Sequence, residues 1–211
     1  MTLWFSSDLH IAHLNALTIM PHRPWSDVDS MSQGLIDNYN SIIKDGDTVI
    51  ILGDLIMGKK FENVPKYLPQ LKGNKTLLCG NHDFLPSEQK PDKLAQLEQL
   101  YLKNGISQIV YGCVSLDMFT GDWRDLNIKL CHFPTADTTD DRTNEYEQRY
   151  THLRPTITDD EILFCGHTHS KQHLLKPNVY HVGVDAEIHD YKPVHIEDIL
   201  SRWALQDVKI K

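Results

Sequence analysis

The 211-residue chain carries 24% charged and 40% hydrophobic residues with a formal net charge of −8, the balance of a soluble globular protein with length for one domain and a real core. An acidic surplus of this kind argues against holding a nucleic-acid polymer or an anionic membrane by bulk charge. Met1-Thr2-Leu3-Trp4-Phe5 has no basic segment, and no apolar run reaches membrane-spanning length, so neither a signal peptide nor a transmembrane helix is expected.

Thr2 to Ser6 reads as an apolar-rich strand that runs into Ser7-Asp8-Leu9-His10. Asp8 and His10 are two apart, so on extended backbone both side chains point the same way and can grip one divalent metal. Alone, Asp8 reads equally well as a helix N-cap. Met20 to Ser30, with Pro21 and Pro24, is a loop. Met31, Leu35, Ile36, Tyr39, Ile42 and Ile43 recur at helical spacing, which predicts an amphipathic helix over 30–44.

Val49-Ile50-Ile51-Leu52 is the most buried-looking strand of the chain, since consecutive β-branched residues need cover on both faces. It ends in Gly53-Asp54. A glycine there allows a tight turn, and a carboxylate is delivered at the carboxyl end of a central strand, where open α/β sheets place their chemistry. Asp54 is therefore expected to bridge two metal ions, with the other ligands converging on it. Residues 59–72 predict a short broken helix around Pro65 and Pro69.

Thr76 to Cys79 is another short strand, ending in Gly80-Asn81-His82-Asp83. Leu94, Leu97 and Leu100 mark a helix over 92–104, with Pro91 near its start and Gly105 just past its end. Strands are expected at 108–111, 114–119 and 126–130, the last leading to Cys131-His132-Phe133-Pro134. Residues 135–160 form a polar excursion with a short helix near 144–151. It is either a solvated surface insert or a substrate-facing rim whose Arg142, Arg149 and Arg154 meet phosphate or base. Ile162 to Cys165 ends in Gly166-His167-Thr168-His169. Closing strands are expected at 179–184 and 194–196, then a helix over 197–205.

Cys79, Cys113, Cys131 and Cys165 form no CxxC pair and mostly end apolar runs, which fits small buried hydrophobes better than ligands or disulfides. With no signal peptide expected, a reducing cytoplasm is the expected location. The twelve histidines are the unusual feature, and several fall directly after strands. Five apolar strands each deliver metal-capable side chains: Asp8 with His10, Asp54, Asn81 with His82, His132, and His167 with His169. One loop histidine means little; five repeats of one placement point to a shared site.

In that order, Asp-x-His, Gly-Asp, Gly-Asn-His-Asp, His and Gly-His-x-His resemble the calcineurin-like metallophosphoesterase superfamily over essentially the whole chain. The segments His10–Asn15, Arg23–Trp25, Asn38–Asn40 and Val182–Ala186 resemble a small stand-alone bacterial and phage branch. The resemblance implies a four-layer αββα sandwich of two mixed sheets flanked by helices. It assigns Asp8, His10, Asp54 and His169 to one metal, and Asp54, Asn81, His132 and His167 to a second. Mixed imidazole and carboxylate donors suit borderline cations such as Mn²⁺, Fe, Co²⁺ or Zn²⁺ and disfavour Ca²⁺; Mn²⁺ is the expected ion, with Fe, Zn²⁺, Co²⁺ or Ni²⁺ as alternatives. Two ions ~3.5–4 Å apart can clamp both oxygens of an in-line displacement and supply a bridging hydroxide. Counting that hydroxide, two such ions against Asp8 and Asp54 leave a locally positive hole for phosphate, because Asn81 is neutral.

The resemblance gives His82 the role of general acid toward the leaving oxygen, with Asp83 either orienting it or shaping the turn. His13, Asn15 and Arg23 could line the mouth, and Arg23 could equally form a structural salt bridge or backbone hydrogen bonds. The Asp-Arg-Gly that positions the acid in Ser/Thr protein phosphatases is replaced by Asp54-Leu55-Ile56-Met57, which speaks against protein phosphatase activity. The expected function is hydrolysis of a small nucleotide-like phosphodiester, 2′,3′-cyclic nucleotides being one candidate. A phosphomonoesterase or pyrophosphohydrolase is the alternative, and a non-catalytic metal-binding scaffold is the rival from another class.

Overall fold

The computed structural model describes residues 2–118, 126–138 and 150–207. Val49, Ile50, Ile51 and Leu52 are fully buried, as a strand covered on both faces must be. Four parallel strands build the sheet around them: β1 (Leu3–Ser6), β2 (Thr48–Ile51), β3 (Asn74–Leu78) and β4 (Ile106–Val110). A second sheet contains β5 (Val114–Ser115), β6 (Ile128–Leu130), β7 (Ile162–Cys165), β8 (Leu174–Lys176) and β9 (Val179–His181), in the order β5-β6-β7-β9-β8. Within it β6, β7 and β9 are parallel, and β5 and β8 form antiparallel edges. The chain then returns as β10 (Val194–His195), antiparallel to β1.

Side chains alternate along a strand, so each central strand serves two interfaces. Phe5, Ile50, Leu52 and Leu78 of the first sheet meet Leu130, Phe164 and Tyr180 of the second in one buried cluster. Phe5 and Phe164 are in edge-to-face contact with centroids 5.1 Å apart. The other face, Val49, Ile51 and Leu77, packs with Leu35, Ile36 and Tyr39 of α2 (Val28–Ile42), Val64 and Tyr67 of α3 (Lys60–Tyr67), and Leu97 and Tyr101 of α4 (Pro91–Lys103). A single turn of helix, α1 (Ala16–Ile19), precedes them, and α5 (Ile196–Asp207) closes the chain. The two mixed sheets flanked by helices are the expected architecture.

The departures have local causes. Asp27 caps α2: its carboxylate accepts from Ser30 N at 2.8 Å, and Ser30 Oγ reaches back to the Asp27 backbone in a capping box. The helix therefore starts at Val28. In α3 the chain stays helical through Pro65 and tightens into a 3₁₀ turn over Leu68–Gln70, around Pro69. β5 has only two residues, because Leu116–Met118 turns into a 3₁₀ segment; Phe119 lies outside the described residues. β8 carries no sequence signal, because three half-buried residues, Leu174–Lys176, are too few to show a period. In the excursion, Arg142, Arg149 and most of the expected helix near 144–151 lie outside the described residues. Thr151–Leu153 is a 3₁₀ turn.

Candidate metal centre

Hydrogen bonds continue past the ends of β1 and β2 and carry their loops along together. Leu52 N donates to Ser6 O at 2.8 Å, Asp8 N to Gly53 O at 3.1 Å and His10 N to Asp54 O at 2.9 Å. The backbone then folds sharply. Asp8, His10, Asp54, His167 and His169 have φ of 58°, 51°, 56°, 71° and 51°, a left-handed conformation that costs a non-glycine residue of order 1 kcal/mol. Five such residues at strand ends aim their side chains into one cup. Two glycines permit the approach: a Cβ on Gly80 would fall on Asp54 Oδ1, and one on Gly166 on Ser7 Oγ and Asp8 Oδ2.

The seven expected ligands meet there, all but His169 buried. Asp54 Oδ2 stands 3.4 Å from His10 Nε2 and 3.6 Å from His132 Nε2. Asp8 accepts the His167 backbone N–H at 2.9 Å, and its Oδ1 lies 4.0 Å from His169 Nε2. Asn81 Oδ1 is 2.9 Å from His132 Nε2 and 3.0 Å from His167 Nδ1. Ligand atoms of Asp8, His10 and His169 all lie within 4.8 Å of one another, as do those of Asp8, Asp54 and His132. Both carboxylates thus stand between the two histidine groups.

The donor set fits metal binding on its own chemistry. His10 is buried, yet among the described residues neither ring nitrogen has a hydrogen-bond partner, a costly state for a polar group that a cation beside Asp54 would relieve. His132 Nδ1 donates to Leu52 O at 2.7 Å, which turns Nε2 toward Asn81 and Asp54, and Asp54 and Asp8 raise the His132 pKa against its burial. Burial works to raise the Asp54 carboxyl, but His132 and His10 hold it well below the usual range. Burial also opposes Asp8, and His169 and His132 keep it low. Burial pushes His10 down to about 3 against the pull of Asp54. Two ionised carboxylates beside a neutral imidazole are ready to bind a cation.

His82 lies at the rim, half-buried. Its backbone N donates to Asp54 Oδ1 at 2.9 Å, and its ring is 5.4 Å from His10 and 6.2 Å from His13 by centroids. Asp83 shapes the turn: its carboxylate accepts from Asp54 N at 2.7 Å, Gly80 N at 2.9 Å and Leu55 N at 3.2 Å. The His82 carbonyl is held by Lys60 Nζ at 2.8 Å, and the same ammonium bonds Ile56 O. Lys60 had no motif, and only the fold brings it here.

His13 stacks on His10 at 5.1 Å and burial pushes it down to about 4, while Asn15 is exposed at the start of α1. Arg23 is elsewhere than the mouth. Its guanidinium is buried, pairing with Asp185 through Nε and Nη2 at 2.8 Å each and donating to Leu9 O at 2.9 Å and Asp8 O at 2.7 Å. With Met31 Sδ at 3.6 Å, all five N–H groups are engaged, so the salt-bridge alternative describes its surroundings and phosphate contact does not. Of the histidines without a motif, His181 is buried with Nε2 4.0 Å from Asp8 Oδ2. His189 packs on Tyr180 and bonds Gly183 O at 2.9 Å.

The sequence pattern of calcineurin-like phosphoesterases matches residues 1–171. Gene 66 protein of Mycobacterium phage L5 is 31% identical over 190 residues, 87% of this chain and 86% of its own length. An uncharacterized protein of Methanocaldococcus jannaschii is 38% identical over 82 residues, 38% of this chain and 46% of its own length. The crystal structure of a protein of unknown function from Aquifex aeolicus aligns with a TM-score of 0.65 at 22% identity, covering 95% of this chain and 98% of that one. That last likeness is one of fold.

Proposed function

The chain belongs to the calcineurin-like phosphoesterase family, whose members are metal-dependent hydrolases of phosphoric esters, and from that premise we propose that it cleaves a small nucleotide-like phosphodiester at the Asp54 cluster. The observation that carries this is the meeting of five strand ends around Asp54 and Asp8. Asp8, His10, Asp54 and His169 would hold one divalent ion, and Asp54, Asn81, His132 and His167 the other, the mixed donors suiting borderline cations such as Mn²⁺, Fe, Co²⁺ or Zn²⁺. When bound, such a pair supplies Lewis acidity and a hydroxide nucleophile at neutral pH.

The chain's own residues do the rest. Neutral Asn81 leaves the cluster short of negative charge, which favours an anionic ester. His82, half-open at the rim and anchored through its backbone, is the group that can protonate a leaving oxygen. His13, stacked on His10, is the next side chain a substrate would meet. A 2′,3′-cyclic nucleotide is one candidate that places a diester and a base within that reach. Four free cysteines suit a reducing cytoplasm. Among the described residues no helix is long and apolar enough to cross a membrane.

The test is a panel of bis-p-nitrophenyl phosphate, p-nitrophenyl phosphate, cyclic nucleotides and pyrophosphate with Mn²⁺-loaded protein. Preference for the diesters is expected. Preference for the monoester or pyrophosphate would replace the diester assignment by its alternative. No turnover by protein holding two ions would leave the scaffold.

A further inference from the structure

We propose that Asp185 is the positioning residue for His169: it fixes the ring so that Nδ1 carries the proton and Nε2 faces Asp8. The proposal rests on the metal-centre reading above, in which His169 is a ligand.

Asp185 follows β9 in Val182-Gly183-Val184-Asp185 and is 3% exposed. Its two oxygens receive four donors. Oδ1 takes Arg23 Nε at 2.8 Å and His22 Nε2 at 2.9 Å; Oδ2 takes Arg23 Nη2 at 2.8 Å and His169 Nδ1 at 2.7 Å. An ionised carboxylate only accepts, so the contact at 2.7 Å places the His169 proton on Nδ1. The other nitrogen, Nε2, is then the lone pair, and it is the atom 4.0 Å from Asp8 Oδ1, beyond a hydrogen bond and suited to a shared ion. Arg23 grips both Asp185 oxygens, through Nε and Nη2, in a fully buried ion pair, the arrangement of an ionised carboxylate.

Arg23 ties the device to the opposite end of the chain. The guanidinium that locks Asp185 also holds the carbonyls of Asp8 and Leu9. The first and last ligand segments, both in left-handed backbone at Asp8 and His169, are clamped through one buried ion pair. An outer carboxylate of this kind orients a ligating imidazole and raises its basicity, and its loss costs metal affinity ~10–100-fold.

The test titrates Zn²⁺ into metal-free wild type and Asp185→Asn by calorimetry, and reads the His169 ring nitrogens by ¹⁵N NMR in zinc-loaded wild type. The expected result is two ions per wild-type chain, one site weakened ~10–100-fold in the variant with the other unchanged, and a protonated Nδ1 on His169. Two ions of unchanged affinity in a folded Asp185→Asn overturn the proposal while leaving the metal centre standing; an Asp185 serving only Arg23 would give that result with a lowered melting temperature. An unprotonated Nδ1 in wild type overturns it without any variant, should Asp185→Asn not fold. Wild type that binds no Zn²⁺ overturns the metal centre and the proposal together.

Discussion

Lys60 Nζ donates to His82 O at 2.8 Å across 22 residues of chain. The ammonium on α3 thereby fixes the backbone of the one rim histidine whose N–H is already bound to Asp54. Burial lowers the Lys60 pKa, and Asp83 and Asp54 oppose that shift. Replacing Lys60 by Met removes the ammonium that two part-buried carbonyls share, at a cost of ~1–3 kcal/mol. The expected outcome is a lower unfolding midpoint in urea, both metals retained, and a slower reaction on esters with poor leaving groups. Unchanged rates on those esters would show that the clamp does not matter to His82.

Asp54 and His82 sit in the same cup with different assigned tasks, so their substitutions separate. Asp54→Asn should abolish uptake of both ions and all turnover, read by metal analysis and the diester assay. His82→Ala should keep both ions and slow cleavage of poor leaving groups by ~10²–10⁴. Loss of metal in His82→Ala would move His82 from acid to ligand.

Arg23 and Asp185 form a fully buried ion pair. Removing one partner of such a pair leaves an uncompensated buried charge and costs ~3–5 kcal/mol. Arg23→Ala is therefore expected to lose about that much stability in denaturant unfolding. If Arg23 touched phosphate instead, KM would rise while the unfolding midpoint stayed put.

His189 gives a pH signature away from the ligands. Burial pushes it from 6.5 down to about 3, with the Gly183 carbonyl opposing. Between those values the unfolded chain binds one more proton than the folded one, so this stabilising contribution is complete above 6.5 and is lost as the pH falls toward 3, at ~1.4 kcal/mol per pH unit. His10 and His13 add to the same acid loss. His189→Gln should flatten the stability profile of metal-free protein below pH 6.5 by about one proton's slope. An unchanged slope would mean that His189 is already protonated in the fold.

What the sequence determined is local. Val49 to Leu52 could be read as a doubly covered strand because burial on both faces selects consecutive apolar residues. Asp8, Asp54, Asn81, His132 and His167 could be read as strand-end side chains because each directly follows such a run. Helix and strand periods reach a few residues along the chain, and the motifs fall inside that reach. Only the tertiary structure decided where Arg23, Lys60, His22 and Asp185 act. Arg23 lies 162 residues from Asp185, with no period or turn chemistry linking the two. An arginine after a loop looks the same whether it will face a phosphate or a buried carboxylate. What settles the difference is which strand the closing segment lies beside, a property of packing between two sheets that no short window of sequence contains.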